Sequence, residues 1–506
     1  NEFPFWSFLF ADLHAHLLAF PFLLGLLAVL LLAFRQRTSP ELYVPPFGRS
    51  LLLAVASLFL AVLLVTNGWS APTAAGLVVL LLSASALAAT PRPEPPLPAR
   101  RLGRLLAGVV VPGLAVALPA LFVTLPFWRA YTPPPRHLGW ERGPGYDALS
   151  LLLVHGLGLA LIVPALLALF RETRRDPARP RREGALAAAL ALLLALSLLD
   201  LPALAAGRLA PAPSVRAFLA GLALLALLLA FGRGLPPARR ALPAVAAAAI
   251  GLLALSEVVF VWDRMNTVFK FGLDATLLLA VAGAGALDLL LDRSSARGAR
   301  RRLAKTLAAA ALLGALATSL LALAGHLRTR RVETPRGTLD GLAFLRSHRP
   351  GEAAALDFLE ARVPGLPTIA EAWGPSYREY ARFASRSGLP TVIGWDYHLL
   401  QRGQPRPELE RRVLDVARLY DPLVLDDLPE ILSRREVRWV VSGAEEVEAH
   451  GEAHRALFRA FPGLLVPAFE SGGVTLYRVP VRGRYETKHL VSAAPPVARA
   501  ESDSMN

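Results

Sequence analysis

Two short polar runs in an otherwise apolar sequence carry residue types able to do chemistry. The first is Asp12-Leu-His-Ala-His16, set hard against a long run of Leu, Ala, Val and Phe, with Glu2 close enough to join it. An extended backbone would turn Asp12, His14 and His16 the same way; a helix would put Asp12 and His16 on one face and His14 elsewhere. A carboxylate there suits a general base, with Glu2 as a second candidate. His14 and His16 are read as substrate contacts; alternatively, Asp12 and His16 suit a divalent metal ion, the one cofactor this sequence leaves open. The plainer alternative is a set of interfacial polar residues bonded to loop backbone.

The second run is Val261-Trp-Asp-Arg-Met-Asn-Thr-Val-Phe-Lys-Phe271. On a helix, Asp263, Asn266, Thr267, Lys270 and Asp274 form one polar stripe, with Arg264 beside it. Charges entering a membrane span are costly and usually face a bundle interior or a watery cavity. Arg264 with its fork and Lys270 as a point charge suit a phosphate or pyrophosphate. The competing account is an ion pair of Lys270 with Asp263 or Asp274 that ties two helices together. Asn67 and Trp69 lie in a tight turn, Thr66-Asn-Gly-Trp-Ser70, and are read as further substrate contacts. So are Glu371, Trp395 and His398, which follow expected strands, a common position for ligand contacts.

The elements that must position these residues are mostly membrane spans. Of the 506 residues 54% are hydrophobic, and the mean hydropathy is +0.45, which excludes an ordinary soluble enzyme. Ten apolar segments are readable, at about 17–34, 50–66, 71–90, 105–125, 148–170, 185–201, 215–231, 241–262, 268–291 and 306–325, most of them near the roughly 20 residues that cross a bilayer. Pro112, Pro119, Pro164 and Pro202 interrupt them, and 91–98 reads as a stiff linker. The loops at 35–49, 91–104, 171–184, 232–240 and 292–305 hold 22 Lys+Arg, and the opposite set holds 7. That contrast places the first set in the cytoplasm and the N-terminal loop and everything after His326 outside. The net charge of +15 also belongs to the membrane part: up to His326 there are 29 basic and 15 acidic residues, and beyond it 25 and 24. A nucleic-acid partner is therefore not expected. Cysteine is absent, so disulfides and thiolate chemistry are excluded.

The expected fold is a polytopic α-helical membrane protein of about ten spans with a C-terminal extracytoplasmic α/β domain. Its parts are an outer loop (1–16), a transmembrane domain (17–325), a linker (326–339), the α/β domain (340–480) and a disordered tail (481–506). Strands are expected at 367–372, 389–394, 437–442 and 474–479, and helices at 408–419, 426–434 and 445–461. The chain opens on Asn1 with no recognisable secretory leader, and reads as continuing upstream or as a processed form.

Taken in order, Asn1-Glu-Phe-Pro-Phe, Asp12-Leu-His-Ala-His16, Asn67-Gly-Trp69 and Arg264-Met-Asn-Thr-Val-Phe-Lys270 resemble the Chlor-Arch-YYY family of multi-spanning membrane proteins. So do Thr338-Leu-Asp-Gly341, Glu371-Ala, Gly388-Leu-Pro-Thr and Gly394-Trp395. The layout is similar to that of the C-type glycosyltransferases, which take sugars from polyprenyl-phosphate or polyprenyl-pyrophosphate carriers and use an acidic residue of the first outer loop. The resemblance implies a glycosyltransferase at the outer face of the plasma membrane, with Asp12 as the acid, a lipid-linked sugar donor and membrane lipids as partners. A transporter or flippase for an anionic lipid, and a non-catalytic membrane scaffold, are the alternatives. An Asp-x-His-x-His run also occurs in hydrolases of the amidohydrolase type, but there it follows the first strand of a soluble barrel.

Overall fold

The computed structural model describes residues 7, 14–39, 45–89, 99–131, 137–141, 147–173, 213–232, 234–291, 299–333, 338, 340–423 and 425–480. Glu2, Asp12, the linker at 91–98, Pro202, the apolar segment at 185–201 and the tail at 481–506 lie outside the described residues. The chain divides into two units, one ending at His326 and one beginning at Leu327.

The first unit is a helical bundle. Its helices are α1 (Ala15–Thr38), α2 (Pro46–Thr66), α3 (Ser70–Ala89), α4 (Ala99–Ala130), α5 (Ala148–Thr173), α6 (Pro213–Phe231), α7 (Ala241–Ser256), α8 (Arg264–Leu291) and α9 (Ala299–Glu333). Among the described residues eight helices are long and apolar enough to cross a membrane, and α6 adds a shorter apolar one. Nine of the ten segments read from hydropathy coincide with these helices, and the one at 185–201 lies outside the described residues. Helix α9 begins in the first unit and runs on to Glu333, past the boundary at His326 and the expected start of a linker; its Ala, Leu and Arg residues favour helix.

Lipid tails are as apolar as Leu, so close packing rather than the hydrophobic effect holds such helices together. Helix α7 shows how: it is built largely of Ala, buries Ala244, Ala246, Ala247 and Ala249, and packs along both α6 and α8. Gly158 of α5 serves the same end, because a Cβ there would stand 2.8 Å from the Cβ of Leu279 on α8.

The segment 257–262, read from the sequence as the end of a span, instead leaves the helix. Val259–Val261 forms β2, which pairs antiparallel with β1 (Leu138–Trp140), with Gly139 opposite Phe260. Val-Phe-Val is a strand-favouring triplet, and hydropathy alone does not separate it from helix.

The second unit holds a four-stranded sheet in the order β3 (Thr368–Ala370), β4 (Val437–Ser442), β6 (Val474–Arg478), β5 (Val466–Ser471). The β3–β4 pair is parallel and the others antiparallel. Strand β4 is central and covered on both faces. Trp439 and Val441 pack with Leu345 and Leu359, on α10 (Ala343–His348) and α11 (Pro350–Arg362). Val440 packs with Leu419, Ile431 and Phe458, from α14 (Arg406–Leu419), α15 (Leu428–Arg434) and α17 (Ala453–Ala460). Each such aliphatic side chain, fully buried, contributes about 1.5–3 kcal/mol. Between these lie α12 (Arg382–Ser387), α13 (Asp396–Gln401) and α16 (Ala444–His450).

Two sequence expectations fail here. Residues 389–394 form no strand and contribute only the bridge between Thr391 and Ile369. The expected helix 445–461 is two helices, α16 and α17, parted at Gly451, whose φ of +75° is a left-handed value that ends a helix cheaply only at glycine.

Candidate functional site

Polar residues from distant parts of the chain meet inside the first unit. His14 is the extended residue that precedes α1, so the helix begins at Ala15 and turns His16 inward, where it is buried. The His16 ring has Lys270 Nζ 3.0 Å from Nδ1 and Ser7 Oγ 2.9 Å from Nε2. With Lys270 charged, its ammonium donates to Nδ1, and a neutral ring then carries its proton on Nε2, toward Ser7. In that state Ser7 supports the His16 ring from the side opposite Lys270. The metal site expected on Asp12 and His16 lies in part outside the described residues, because Asp12 does. Among the described residues no group of three or more His, Cys, Asp or Glu could hold a metal ion.

Lys270 is buried and lies 4.5 Å from the centre of the Phe269 ring, a distance at which a ring face attracts a cation. One turn further along α8, Asp274 is also buried. Its carboxylate accepts from Ser70 Oγ at 3.1 Å and Thr73 Oγ1 at 2.7 Å, both on the first turn of α3. Asn67 arranges that turn: its side-chain amide donates to Ser70 Oγ at 2.9 Å, and its Oδ1 accepts from the Trp69 amide at 3.4 Å. Trp69 packs edge-on against Phe271, 5.8 Å between centroids. The His16–Lys270 contact and the group around Asp274 thus lie one turn apart on α8, against the first turns of α1 and α3.

Of the expected stripe on α8, Thr267, Lys270 and Asp274 are buried. Asp263 and Asn266 are consumed locally: Asp263 accepts from the Asn266 amide at 2.7 Å and from its side chain at 2.9 Å, and so caps the helix. Arg264 and Lys270 stand six residues apart on α8. Six residues of α-helix turn the two about 120° apart, and Arg264 Nε lies 3.4 Å from Glu141. Glu141 follows β1, so this contact joins the same two segments as the β1–β2 pairing.

In the second unit the expected contacts diverge. Glu371 is fully buried, and its two oxygens accept the Phe383 and Ala384 amides, each at 2.9 Å. It is a tie between β3 and α12 rather than a ligand contact. Burial raises its carboxyl to about 7, against the pull of those amides and of Arg382. Trp395 and His398 are partly exposed and lie together, 5.2 Å between ring centroids. Ser7, Thr73 and Glu141 were missed from sequence. Thr73, three residues after Ser70, shares its face of α3, a spacing that could have flagged it; Ser7 carries no such signal.

A bundle of apolar helices with a buried polar cluster defines a multi-spanning integral membrane protein. Residues 1–279 match the family described as "Uncharacterized membrane protein (DUF2298)", more than half of the chain, and the chain belongs to that family. The matched region takes in every residue of the cluster from Ser7 to Asp274. No curated protein matches the chain.

Proposed function

We propose that the protein is a membrane glycosyltransferase that takes a sugar from a polyprenyl-phosphate-linked donor at the outer face of the cell membrane. The observation that supports this most is the convergence of His16, Lys270 and Asp274 inside an otherwise apolar bundle, since buried ionisable groups in spans mark substrate paths. In the reaction the acceptor hydroxyl oxygen bonds to the anomeric carbon as the carbon–oxygen bond to phosphate breaks. Polyprenyl phosphate leaves with the electron pair, and the hydroxyl proton passes to a base. Lys270 supplies positive charge toward the leaving phosphate as negative charge develops there, and His16, bound to Ser7, fixes where that ammonium stands. Asp12, two residues before His14, is the base in this reading, and Glu2 is the second candidate. The outward orientation is supported by the 22-to-7 loop charge contrast.

Lipids extracted from the protein, purified in native-membrane nanodiscs, test the class by mass spectrometry. A polyprenyl-phosphate sugar should co-purify and fall at least tenfold in Lys270→Met. A sugar-free anionic lipid would move the protein to the transporters, and an unchanged lipid complement in Lys270→Met would remove Lys270 from the site. Orientation is tested by labelling single cysteines, which have no background in this chain. Leu138→Cys, on exposed β1, should react with an impermeant outside reagent, and Ser39→Cys should not. Ser70 is unsuitable because it is fully buried.

A further inference from the structure

Three rings of the second unit form a triangle at its surface. Tyr377 lies 5.1 Å from Trp395 and 5.3 Å from His398, and Trp395 lies 5.2 Å from His398, centroid to centroid. Tyr377 is 73% exposed, and Tyr397, beside His398, is 47% exposed. The triangle is braced: Trp395 Nε1 donates to the Tyr380 carbonyl at 3.1 Å, and His398 Nε2 is 3.0 Å from the Tyr377 hydroxyl. Tyr377 also has a φ of +63°, a left-handed backbone that costs a bulky L-residue of order 1–2 kcal/mol. An exposed tyrosine gains little from burial to offset that, and such outliers concentrate at ligand sites.

We propose that Tyr377, Trp395 and His398 are a carbohydrate-binding patch on which a pyranose ring stacks. The face of an aromatic ring is electronegative, and the C–H bonds on one face of a sugar present a weakly positive surface to it. The hydroxyls at the sugar's rim need polar partners, and these are at hand. Asp396 stands next to Trp395 in the chain and accepts from the Tyr397 amide; Arg402 reaches the His398 carbonyl. Against a lipid chain these polar groups would lose their water without replacement, which favours the sugar. The proposal is independent of the transferase reading, because it stands on the second unit alone.

Saturation-transfer NMR on the full chain in nanodiscs, with methyl glycosides of glucose, galactose, mannose and N-acetylglucosamine as probes, tests it. At least one glycoside should receive transfer, strongest at its ring C–H protons, and Trp395→Ala should reduce the signal at least fivefold. Tyr377→Asn, which removes the ring and tolerates the left-handed backbone, should reduce it equally while Tm stays level or rises. No transfer from any probe, or transfer unchanged in both variants, would overturn the patch. A fall in Tm for Tyr377→Asn comparable to that of a core substitution would make Tyr377 a packing residue instead. Quenching of Trp395 emission by brominated lipids, read as the difference from Trp395→Phe, would assign the patch to the membrane surface. Lipid co-purification should be unchanged in Tyr377→Asn, so failure here leaves the transferase test intact.

Discussion

Two sets of buried carboxylates are held in opposite ways, Asp274 in the bundle and those around Arg382 in the second unit. In the bundle, the Asp274 carboxylate is held by two hydroxyls, Ser70 and Thr73. In the second unit, charge meets charge. Arg382, its side chain 1% exposed, reaches Glu352 at 2.9 Å, Glu445 at 3.0 Å and Glu446 at 2.8 Å. Glu445 is also paired with Arg349. Burial alone would raise the Glu446 carboxyl, but Arg382 and the amides of Ala372 and Gly443 outweigh it and hold the group below its usual range. Those same carboxylates push Arg382 upward despite its own burial. The pairing binds α11, α12 and α16 to one another. A hydroxyl, in contrast, orients a carboxylate without cancelling its field. The difference is one of compensation: the Arg382 network neutralises its carboxylates and ties helices together, while the hydroxyls at Asp274 orient a carboxylate without neutralising it.

The comparison can be broken most forcefully at Arg382. Arg382→Met leaves three carboxylates without their shared counter-charge, and the second unit should lose about 3–5 kcal/mol, seen as rapid cleavage in limited proteolysis. Native-like resistance would mean that the network is ornamental. In the bundle the large effect should fall on turnover instead. Asp12→Asn should lower sugar transfer about a hundredfold, the scale of a general base, with Tm nearly unchanged; near-normal transfer would pass the role to Glu2. Smaller still is Thr73→Val, which strips one donor from Asp274 and should cost about 1–3 kcal/mol of bundle stability. Adding Asp274→Leu should recover part of that stability, because the buried carboxylate goes and only the Ser70 hydroxyl loses its acceptor, while transfer remains impaired. If the double variant is no more stable than the single, the hydroxyls are not what satisfies Asp274.

The mildest test is a pH dependence. Glu371 has a folded value of about 7 against an ordinary 4.5. Between those values the folded unit keeps a proton that the unfolded chain has released. Its contribution is therefore fully present below about pH 4.5 and is lost as pH rises through about 7. Glu371→Gln should flatten this part of the Tm profile between pH 5 and pH 7.5 without moving the acid limb set by Glu446 and by Glu408, which Arg435 and Arg412 hold down near 2. An unaltered profile would show that Glu371 does not titrate there.

Most spans were legible in the sequence because a bilayer imposes one length and one composition on every crossing helix. The site was legible only in part. His16 and Lys270 could each be singled out as costly polar residues, but their contact joins positions 254 apart, and no local pattern encodes such a pairing. Arg264 shows the same limit: its neighbourhood in sequence suggested a phosphate contact, and only the β1–β2 pair brings Glu141 to it. In the second unit β4 was readable at its true ends, since strand-favouring residues run through it without interruption. Strand β5 was overlooked because Pro467 argues against a strand, although β5 is an edge strand, where proline is tolerated. The turn at Gly472-Gly473 was the signal that could have found it.

The distance in sequence between the halves of the polar cluster has a consequence for biosynthesis. At roughly 5–20 residues per second, some ten to fifty seconds separate the synthesis of His16 from that of Lys270. Helix α1 thus enters the bilayer with half of an unfinished site, a small burden because His16 lies in its first turn. Asp274 sits three turns into α8, where a carboxylate facing lipid is far more costly, about 2.5–3.5 kcal/mol at the centre of a span. Ser70 and Thr73 of α3, made 204 and 201 residues earlier, are by then available to receive it. A bundle lacking α3 would leave α8 with a carboxylate that these hydroxyls no longer satisfy.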